Sequence, residues 1–279
     1  SLHDALPILA RVVITGAAGN LGSKLTKHFS AVGSGHDLIL LDRVEGEGIN
    51  AADISVFDPT WGSHFSGADV VIHLAGDIRP AASWNEVHPA NVVGTANVLR
   101  AARDAGVGRL VFASTNQVMG GYRFRTDTIG SDSPPLPLNP YAVSKLIGEE
   151  MGRAFATETG RDFIALRIGN IWPGENLPGP DLGIGSWGQE MWLSNRDMLQ
   201  AMECAVSAPP LGFAILNLVS DNPGMRWDIE PTRRLLGYRP RDGQAPVMTD
   251  DVNAQDERAR KAVLVPGSWL DQHSRKLDF

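Results

Sequence analysis

A tyrosine and a lysine four residues apart form the first pair in this sequence that could support acid–base chemistry. The stretch PYAVSK, residues 140–145, places Tyr141 and Lys145 on one face of a predicted helix. A free tyrosine has a pKa of about 10, so its phenol needs a nearby positive charge to act as a base near neutral pH. Lys145 could supply that charge. Taken alone, the pair would be interpreted as two exposed residues on a helix. The surrounding elements decide whether it is a catalytic pair instead.

Closely spaced glycines ahead of the first helix predict a dinucleotide-binding turn. The stretch TGAAGNLG, residues 15–22, lies between the apolar run RVVIT and a helical pattern. Glycine permits a tight turn and close backbone approach to a pyrophosphate, and the helix N-terminus supplies N–H groups. The turn residues expected to contact the cofactor are Gly16, Gly19, Asn20, Leu21 and Gly22.

Two acidic residues after the next predicted strands extend this cofactor site. Asp42 ends the strand DLILLD, 20 residues after Gly22, where a carboxylate can bind a ribose 2′-hydroxyl and would repel a 2′-phosphate. The pattern therefore favours NAD over NADP, although Arg43, a further candidate contact, could partly reverse that preference. Asp53 and Ile54 follow a predicted short strand. The Asp53 carboxylate can accept a hydrogen bond from the adenine amino group, and a solvated loop aspartate is the alternative interpretation.

The turn after the predicted strand VVIH is also expected to face the cofactor. It consists of Leu74, Ala75 and Gly76, and small residues here let the backbone pass close to a ligand. His73, at the end of this strand, is interpreted as a hydrogen-bonded histidine of the sheet rather than a catalyst.

A second glycine pattern, GIGSWG at residues 183–188, matches G-x-G-x-x-G in full. No strand is predicted before it, because the lead-in is LPGPDL, so the context that a dinucleotide site requires is missing. We interpret this segment as a flexible loop that could act as a substrate lid.

Strand-like and helix-like apolar segments alternate along the chain. The predicted strands are residues 11–15, 37–42, 68–76, 109–115, 163–170 and 213–219, and the predicted helices include residues 91–106, 141–159 and 196–206. This alternation predicts an α/β fold with a doubly wound parallel sheet, the Rossmann fold. Two segments rich in Gly and Pro, 116–140 and 172–190, interrupt the alternation and are expected to carry binding and catalysis.

The expected domains follow from this order of elements. Residues 11–170 are predicted to form an NAD-binding Rossmann domain. Residues 171–279 are predicted to add a substrate loop, the last sheet elements and a small C-terminal substrate-binding lobe. Residues 1–10 are expected to be disordered or non-native, because they lack an initiator methionine and a basic signal-peptide start.

Composition excludes several other classes of protein. The net charge of −7 and the absence of a Lys/Arg cluster argue against nucleic-acid binding. No apolar run reaches the roughly 18 residues of a membrane span. The single cysteine, Cys204, allows no intrachain disulfide and is compatible with a reducing cytosol. The seven histidines show no metal-ligand spacing, so no metal site is predicted.

Together these motifs resemble the extended short-chain dehydrogenase/reductase family. The resemblance covers the chain from Arg11 to about Arg241 and rests on TGAAGNLG, Asp42, Asp53-Ile54, HLAG, Asn91, VFAST, YAVSK and GYRP, in that order. It implies that Tyr141 is the catalytic base, Lys145 its partner and Thr115 the hydroxyl that holds the substrate, with Ser114 as the fallback. Asn91, Tyr141 and Lys145 would also contact NAD. Hydride would leave the substrate for the nicotinamide while Tyr141 removes the hydroxyl proton.

Within that family, FASTNQVMG, LRIGN and WLSNRDMLQAME are most similar to uronate dehydrogenases. This resemblance implies a cytoplasmic, homodimeric enzyme that uses NAD to oxidise the anomeric carbon of a hexuronate or related aldose to a lactone. Residues implied to contact the sugar are Ser114, Asn116, Gln117 and Asn170. An epimerase or dehydratase that retains its NAD is the main alternative. A non-catalytic NAD sensor is a remote one, because such proteins tend to lose the tyrosine or lysine.

One departure from the uronate dehydrogenases concerns the substrate carboxylate. The resemblance implies an arginine in the loop after the RIG strand, but residues 171–190 contain neither arginine nor lysine. The arginines elsewhere in the chain that could bind the substrate carboxylate instead are Arg79, Arg123, Arg196 and Arg226. The loop region carries Trp172, Trp187 and Trp192 instead, and aromatic faces suit the C–H faces of a sugar. A neutral or phosphorylated aldose is therefore also a candidate substrate.

Overall fold

A seven-stranded parallel sheet forms the centre of the computed structural model, which describes residues 10–31 and 35–264. The strands lie in the order β3-β2-β1-β4-β5-β6-β7. Their bounds are β1 Arg11–Thr15, β2 Asp37–Asp42, β3 Ile49–Ala51, β4 Val70–His73, β5 Arg109–Thr115, β6 Asp162–Ile168 and β7 Phe213–Leu218. The strand order reverses between β1 and β4, and in such sheets ligands bind at the carboxyl ends of the strands at this point. The predicted fold class is confirmed.

Helices cover both faces of the sheet. They are α1 Asn20–Phe29, α2 Pro59–Gly62, α3 Trp84–Val87, α4 Gly94–Ala105, α5 Pro140–Thr159, α6 Gly185–Glu190, α7 Asn195–Ser207, α8 Glu230–Leu236 and α9 Asp250–Leu264. Along β1, Val12 and Ile14 belong to one apolar cluster, with Leu25 of α1, and Val13 belongs to the other, with Val98 of α4. Because successive strand residues point to opposite faces, the near-continuous apolar run RVVIT serves both clusters.

Helix α5, which carries the Tyr/Lys pair, is defined at both ends. The Asn139 side chain accepts a hydrogen bond from the Ala142 N–H at 2.8 Å, and Gly160 ends the helix with a left-handed φ of 67°. Two glycines let the helix approach the sheet closely. A Cβ at Gly148 would lie 2.4 Å from the ring of Phe112, and one at Gly152 would lie 2.1 Å from Phe163. The sequence thus brings α5 directly against β5 and β6.

Three sequence expectations differ from the structure in detail. The helix expected at 91–106 begins as a π-helical turn at His88–Val93 and becomes α-helical only at Gly94. The strand expected at 68–76 is limited to β4, and the strand expected at 163–170 covers Asp162–Ile168. In both cases the chain leaves the sheet earlier, where turns of the site begin.

The expectation that GIGSWG is a flexible loop is wrong. Residues Gly185–Glu190 form helix α6, and two side chains of α9 accept hydrogen bonds from its first N–H groups: Gln255 from Gly185 at 2.9 Å and Asp256 from Ser186 at 3.2 Å. These partners lie 70 residues away in the sequence, which is why local pattern did not predict a helix.

The C-terminal elements share the core of the sheet. Trp227, Leu236 and Tyr238 belong to the same buried cluster as β1 and β7, and the Tyr238 hydroxyl donates to the Val219 carbonyl at 2.8 Å. Residues 1–10 were expected to be disordered or non-native; residues 1–9 fall outside the described part of the chain, and for Ala10 the expectation is wrong, because it is buried in the same apolar cluster. Among residues 10–31 and 35–264, no helix has the length and apolar character needed to cross a bilayer.

Candidate active site

The glycine turn between β1 and α1 has the geometry of a phosphate cradle. Gly16 adopts a left-handed φ of 76°, and a Cβ there would lie 2.6 Å from the Ala75 backbone nitrogen. A Cβ at Gly22 would lie 2.1 Å from the Gly16 carbonyl oxygen. No side chain caps the N-terminus of α1 at Gly19, so its dipole and first N–H groups face the turn. These residues fit the pyrophosphate of a dinucleotide.

The acidic residues after β2 and β3 lie beside this cradle. Asp42 accepts hydrogen bonds from the backbone N–H groups of Ala18 at 2.9 Å and Val44 at 3.1 Å, which fixes its carboxylate against the glycine turn. This location agrees with a ribose-binding role. Asp53 forms a local turn, because its Oδ1 accepts from the N–H of Ser55 at 3.0 Å and from the Ser55 hydroxyl at 2.6 Å.

Tyr141, Lys145 and Thr115 meet where β5 ends and α5 begins. Thr115 is the last residue of β5, and its side chain is close enough to Tyr141 to influence the phenol. Tyr141 is buried, and burial raises its pKa to about 12, while the Thr115 side chain lowers it and the negative charge of Asp77 raises it. Burial also lowers the pKa of Lys145 to about 8. Burial therefore moves the two pKa values apart, from 10.0 and 10.5 to about 12 and about 8, because the apolar environment disfavours the phenolate and the ammonium alike.

Lys145 lies between the sheet and the turn after β4. Its ammonium is 5.0 Å from the centre of the Phe112 ring and 3.4 Å from the position that a Cβ at Gly76 would occupy. A side chain at residue 76 would therefore enter the space around the ammonium, which explains why glycine suits this position.

Asn91 connects that turn to α5. Its side-chain oxygen accepts from the Asp77 N–H at 2.7 Å, and its amide donates to the Asp77 carbonyl at 2.8 Å and to the Ser144 hydroxyl at 2.9 Å. Ser144 in turn donates to the Tyr141 carbonyl at 2.7 Å. Asn91 lies in the π-helical turn, a form that is frequent at functional sites. It positions the turn and the Tyr/Lys helix relative to each other.

His73 has the buried, hydrogen-bonded environment that the sequence predicts. Thr95 donates its hydroxyl proton to the Asn91 carbonyl at 2.6 Å, so it accepts from His73 Nε2 at 3.1 Å. His73 Nδ1 is then the acceptor for the Thr15 hydroxyl at 2.7 Å. This assigns a neutral Nε2–H tautomer. Burial, with a smaller contribution from the charge of Lys145, lowers the pKa of His73 to about 3.

Ser114 belongs to a separate buried network beneath the site. Its hydroxyl donates to Glu149 Oε1 at 2.5 Å, and Arg167 donates to both Glu149 oxygens at 2.9 Å. Arg167 also donates to the Met119 sulfur at 3.3 Å and the Ser131 carbonyl at 3.4 Å. Ser114 and Thr115 point to opposite faces of β5, which leaves Thr115 as the hydroxyl beside Tyr141.

The three amide residues expected to contact a sugar have different surroundings. Asn116 is buried, and neither polar atom of its side chain has a hydrogen-bond partner among the described residues. Gln117 accepts from the Asn139 amide at 2.9 Å. Asn170 uses both amide hydrogens to hold the chain before and within α6, through the carbonyls of Leu182 at 3.1 Å and Gly188 at 3.2 Å. Asn116 is thus the amide whose hydrogen-bonding groups have no protein partner among the described residues.

Two residues of this region were missed by the sequence reasoning. Asp77 follows Gly76 directly, and its position after a predicted cofactor-facing turn was the available signal. Glu149 lies four residues after Lys145 on the same helix, a spacing that places it on the same face. In the described part of the chain, no group of three or more His, Cys, Asp or Glu side chains is arranged to hold a metal ion.

Comparison with known proteins identifies the family. Residues 12–176 match the NAD dependent epimerase/dehydratase family. The L-arabinose 1-dehydrogenase (NAD(P)(+)) of Haloferax volcanii is 36% identical over 256 residues, which cover 86% of this chain and 100% of that protein. The uronate dehydrogenase of Pseudomonas syringae pv. tomato is 30% identical over 262 residues, or 91% of this chain and 90% of that protein.

The solved structures agree with these sequence relatives. A variant of uronate dehydrogenase from Agrobacterium tumefaciens, solved in complex with NAD, has a TM-score of 0.72 and 25% identity, with 92% of this chain and 89% of that chain covered. The resemblance stated from the sequence and its NAD cofactor are therefore confirmed: the chain belongs to the NAD dependent epimerase/dehydratase family.

Proposed function

We propose that this protein is an NAD-dependent dehydrogenase that oxidises the anomeric hydroxyl of an aldose or aldose-derived acid to a lactone. The observation that carries the proposal is the arrangement of Tyr141, which is buried and whose pKa Thr115 lowers, with the buried Lys145 on the same helix and the unpartnered Asn116 amide directly after Thr115. The named activities of the relatives, L-arabinose 1-dehydrogenase and uronate dehydrogenase, support oxidation over epimerisation.

The roles of the side chains follow from their chemistry. Thr115 holds the C1 hydroxyl of the sugar by a hydrogen bond, and Tyr141 accepts its proton as the C1–H bond breaks. When bound, NAD would supply the hydride acceptor and the positive charge of its oxidised ring. That charge and the Lys145 ammonium oppose the effect of burial, which raises the pKa of Tyr141 to about 12 in the chain alone. Asn116 can both donate to and accept from a second sugar hydroxyl.

The first experiment distinguishes a dehydrogenase from an epimerase or dehydratase. The protein is incubated with NAD and a panel of pentoses, hexoses, hexuronates, sugar phosphates and UDP-sugars, and the absorbance of NADH is followed. Net NADH formation with a free aldose or its acid is expected. Turnover of a UDP-sugar without net NADH would contradict the proposal and favour the epimerase alternative.

The second experiment tests the acid–base residue. Because a positioned base contributes roughly a hundredfold or more, Tyr141→Phe should lower kcat by at least that factor while NAD binding, measured by calorimetry, is retained. Tyr238→Phe is the matched control, since it removes a buried tyrosine hydroxyl whose hydrogen bond, within the described part of the chain, is to the Val219 carbonyl. Undiminished activity in Tyr141→Phe would exclude the catalytic role, and would leave a non-catalytic role for the pair.

The remaining expectations from the resemblance are a homodimer and a cytoplasmic location. Light scattering of the purified protein measures the first, and fractionation of cells that express it measures the second.

A further inference from the structure

We propose, building on the function proposed above, that the site selects an uncharged aldose and that Asp77 is the residue that excludes sugar acids and sugar phosphates. Three observations carry this inference: the position of Asp77, the pairing of the arginines around the site, and the neutral character of the unpartnered Asn116 amide.

Asp77 is held next to the reacting groups. It follows Gly76, whose Cβ position lies 3.4 Å from the Lys145 ammonium, and two hydrogen bonds to Asn91, of 2.7 and 2.8 Å, fix its backbone. Its side chain is 16% exposed, and its charge is close enough to raise the pKa of Tyr141. A substrate bound at Tyr141 therefore also experiences the negative charge of the Asp77 carboxylate.

The arginines that could hold a substrate anion are already paired with carboxylates. In segment 116–140, Arg123 pairs with Asp256 at 3.3 Å, and Arg125 with Asp127 at 2.9 Å. The neighbouring pairs are Arg226 with Glu190 at 3.0 Å, Arg79 with Asp77 at 2.5 Å, and Arg196 with Asp242.

Such pairing makes an anionic substrate costly to bind. Segments 116–140 and 171–192 contain no lysine, and Lys145 is the partner of Tyr141 in the function proposed above. A substrate carboxylate or phosphate would have to displace a protein carboxylate or lose its hydration without a counter-ion, and either is unfavourable. Binding beside Asp77 adds repulsion between like charges. By contrast, the Asn116 amide offers one acceptor and two donors, which match hydroxyl groups.

The test compares sugars that differ only in their charge at C6. Wild-type kcat/KM is measured with NAD for D-galactose and D-galacturonate, and for D-glucose, D-glucuronate and D-glucose 6-phosphate, with pentoses as further neutral substrates. We expect the neutral members to be preferred by at least about tenfold. A preference for the acid or the phosphate would overturn this inference and leave the dehydrogenase function intact, whereas no NADH with any free sugar would overturn the function itself.

Two variants test Asp77. The measured quantity is the kcat/KM for a neutral sugar divided by the kcat/KM for the corresponding acid. In Asp77→Asn this ratio should fall about tenfold. In Arg79→Gln, which leaves the Asp77 charge without its partner, the ratio should rise. Asp132→Asn, which removes an exposed carboxylate of segment 116–140 that has no ion-pair partner among the described residues, is the control and should leave the ratio unchanged. NAD affinity verifies that each variant is folded. An unchanged ratio in Asp77→Asn would exclude Asp77 as the residue that sets specificity.

Discussion

Acid should destabilise the folded protein through one buried histidine. His73 is 1% exposed and is held neutral between Thr15 and Thr95, with a pKa lowered to about 3 from 6.5. In the unfolded chain this histidine takes up a proton as the pH falls below 6.5, whereas the folded protein does not until about pH 3. The contribution of neutral His73 to the free energy of unfolding is therefore complete above pH 6.5 and is lost progressively as the pH decreases.

The size of the effect follows from this difference in proton binding. Each pH unit in that window removes about 1.4 kcal/mol, so the free energy of unfolding should fall by about 2 kcal/mol between pH 6.5 and 5. This is a large part of a typical total of roughly 5–15 kcal/mol. Lys145 adds no slope here, because its pKa of about 8 keeps it protonated in both states throughout the window.

Urea unfolding followed by tryptophan fluorescence, at pH values from about 8 to 5, measures this slope. His73→Gln keeps a hydrogen-bonding side chain that does not titrate, so the pH-dependent loss should shrink by about 2 kcal/mol relative to the wild type. Thr95→Val is the matched control, because it removes one partner of His73 yet keeps the histidine buried, and should retain the slope. Equal slopes in the wild type and His73→Gln would refute the reasoning.

Three further predictions concern the turn, the strand end and the network beneath them. Gly22→Ala should weaken NAD binding in calorimetry, because the added methyl group would lie 2.1 Å from a carbonyl oxygen of the glycine turn. Unchanged NAD affinity would contradict the assignment of this turn as the pyrophosphate site. Thr115→Val should lower kcat by roughly a hundredfold. Ser114→Ala should instead leave kcat within a few-fold, and a reversal of these two effects would exchange their roles. Glu149→Gln should lower the free energy of unfolding by about 3 kcal/mol, measured with urea, because it leaves Arg167 buried without its counter-ion; a smaller loss than for Ser114→Ala would argue against the ion pair.

The fold class and the NAD cofactor were predictable because their signals are local. Glycines in the βα turn, an acidic residue at the end of β2 and buried strands alternating with helices all depend on neighbours close in the sequence. The spacing of Tyr141 and Lys145 on one helix is local in the same sense. A sequence with these features has few alternatives to a doubly wound sheet.

The features that the sequence did not determine depend on residues far apart in the chain. Helix α6 forms because Gln255 and Asp256 accept from its first N–H groups. Whether Ser114 or Thr115 is the hydroxyl next to Tyr141 depends on which face of β5 packs towards Glu149 and which packs towards Tyr141. These are pairings across long loops, which pattern alone does not specify.

The sequence by itself therefore determined a doubly wound sheet, an NAD site and a Tyr/Lys pair on one helix face. Only the tertiary structure decided the charge around the substrate space. Candidate arginines could be counted in the sequence, but whether a guanidinium is available to a ligand depends on the carboxylate beside it. Asp256, 133 residues from Arg123, pairs with that arginine. Asn91 bonds both Asp77 and Ser144, and this holds the Asp77 turn against α5. Electrostatic pairing acts through space, so the fold sets it.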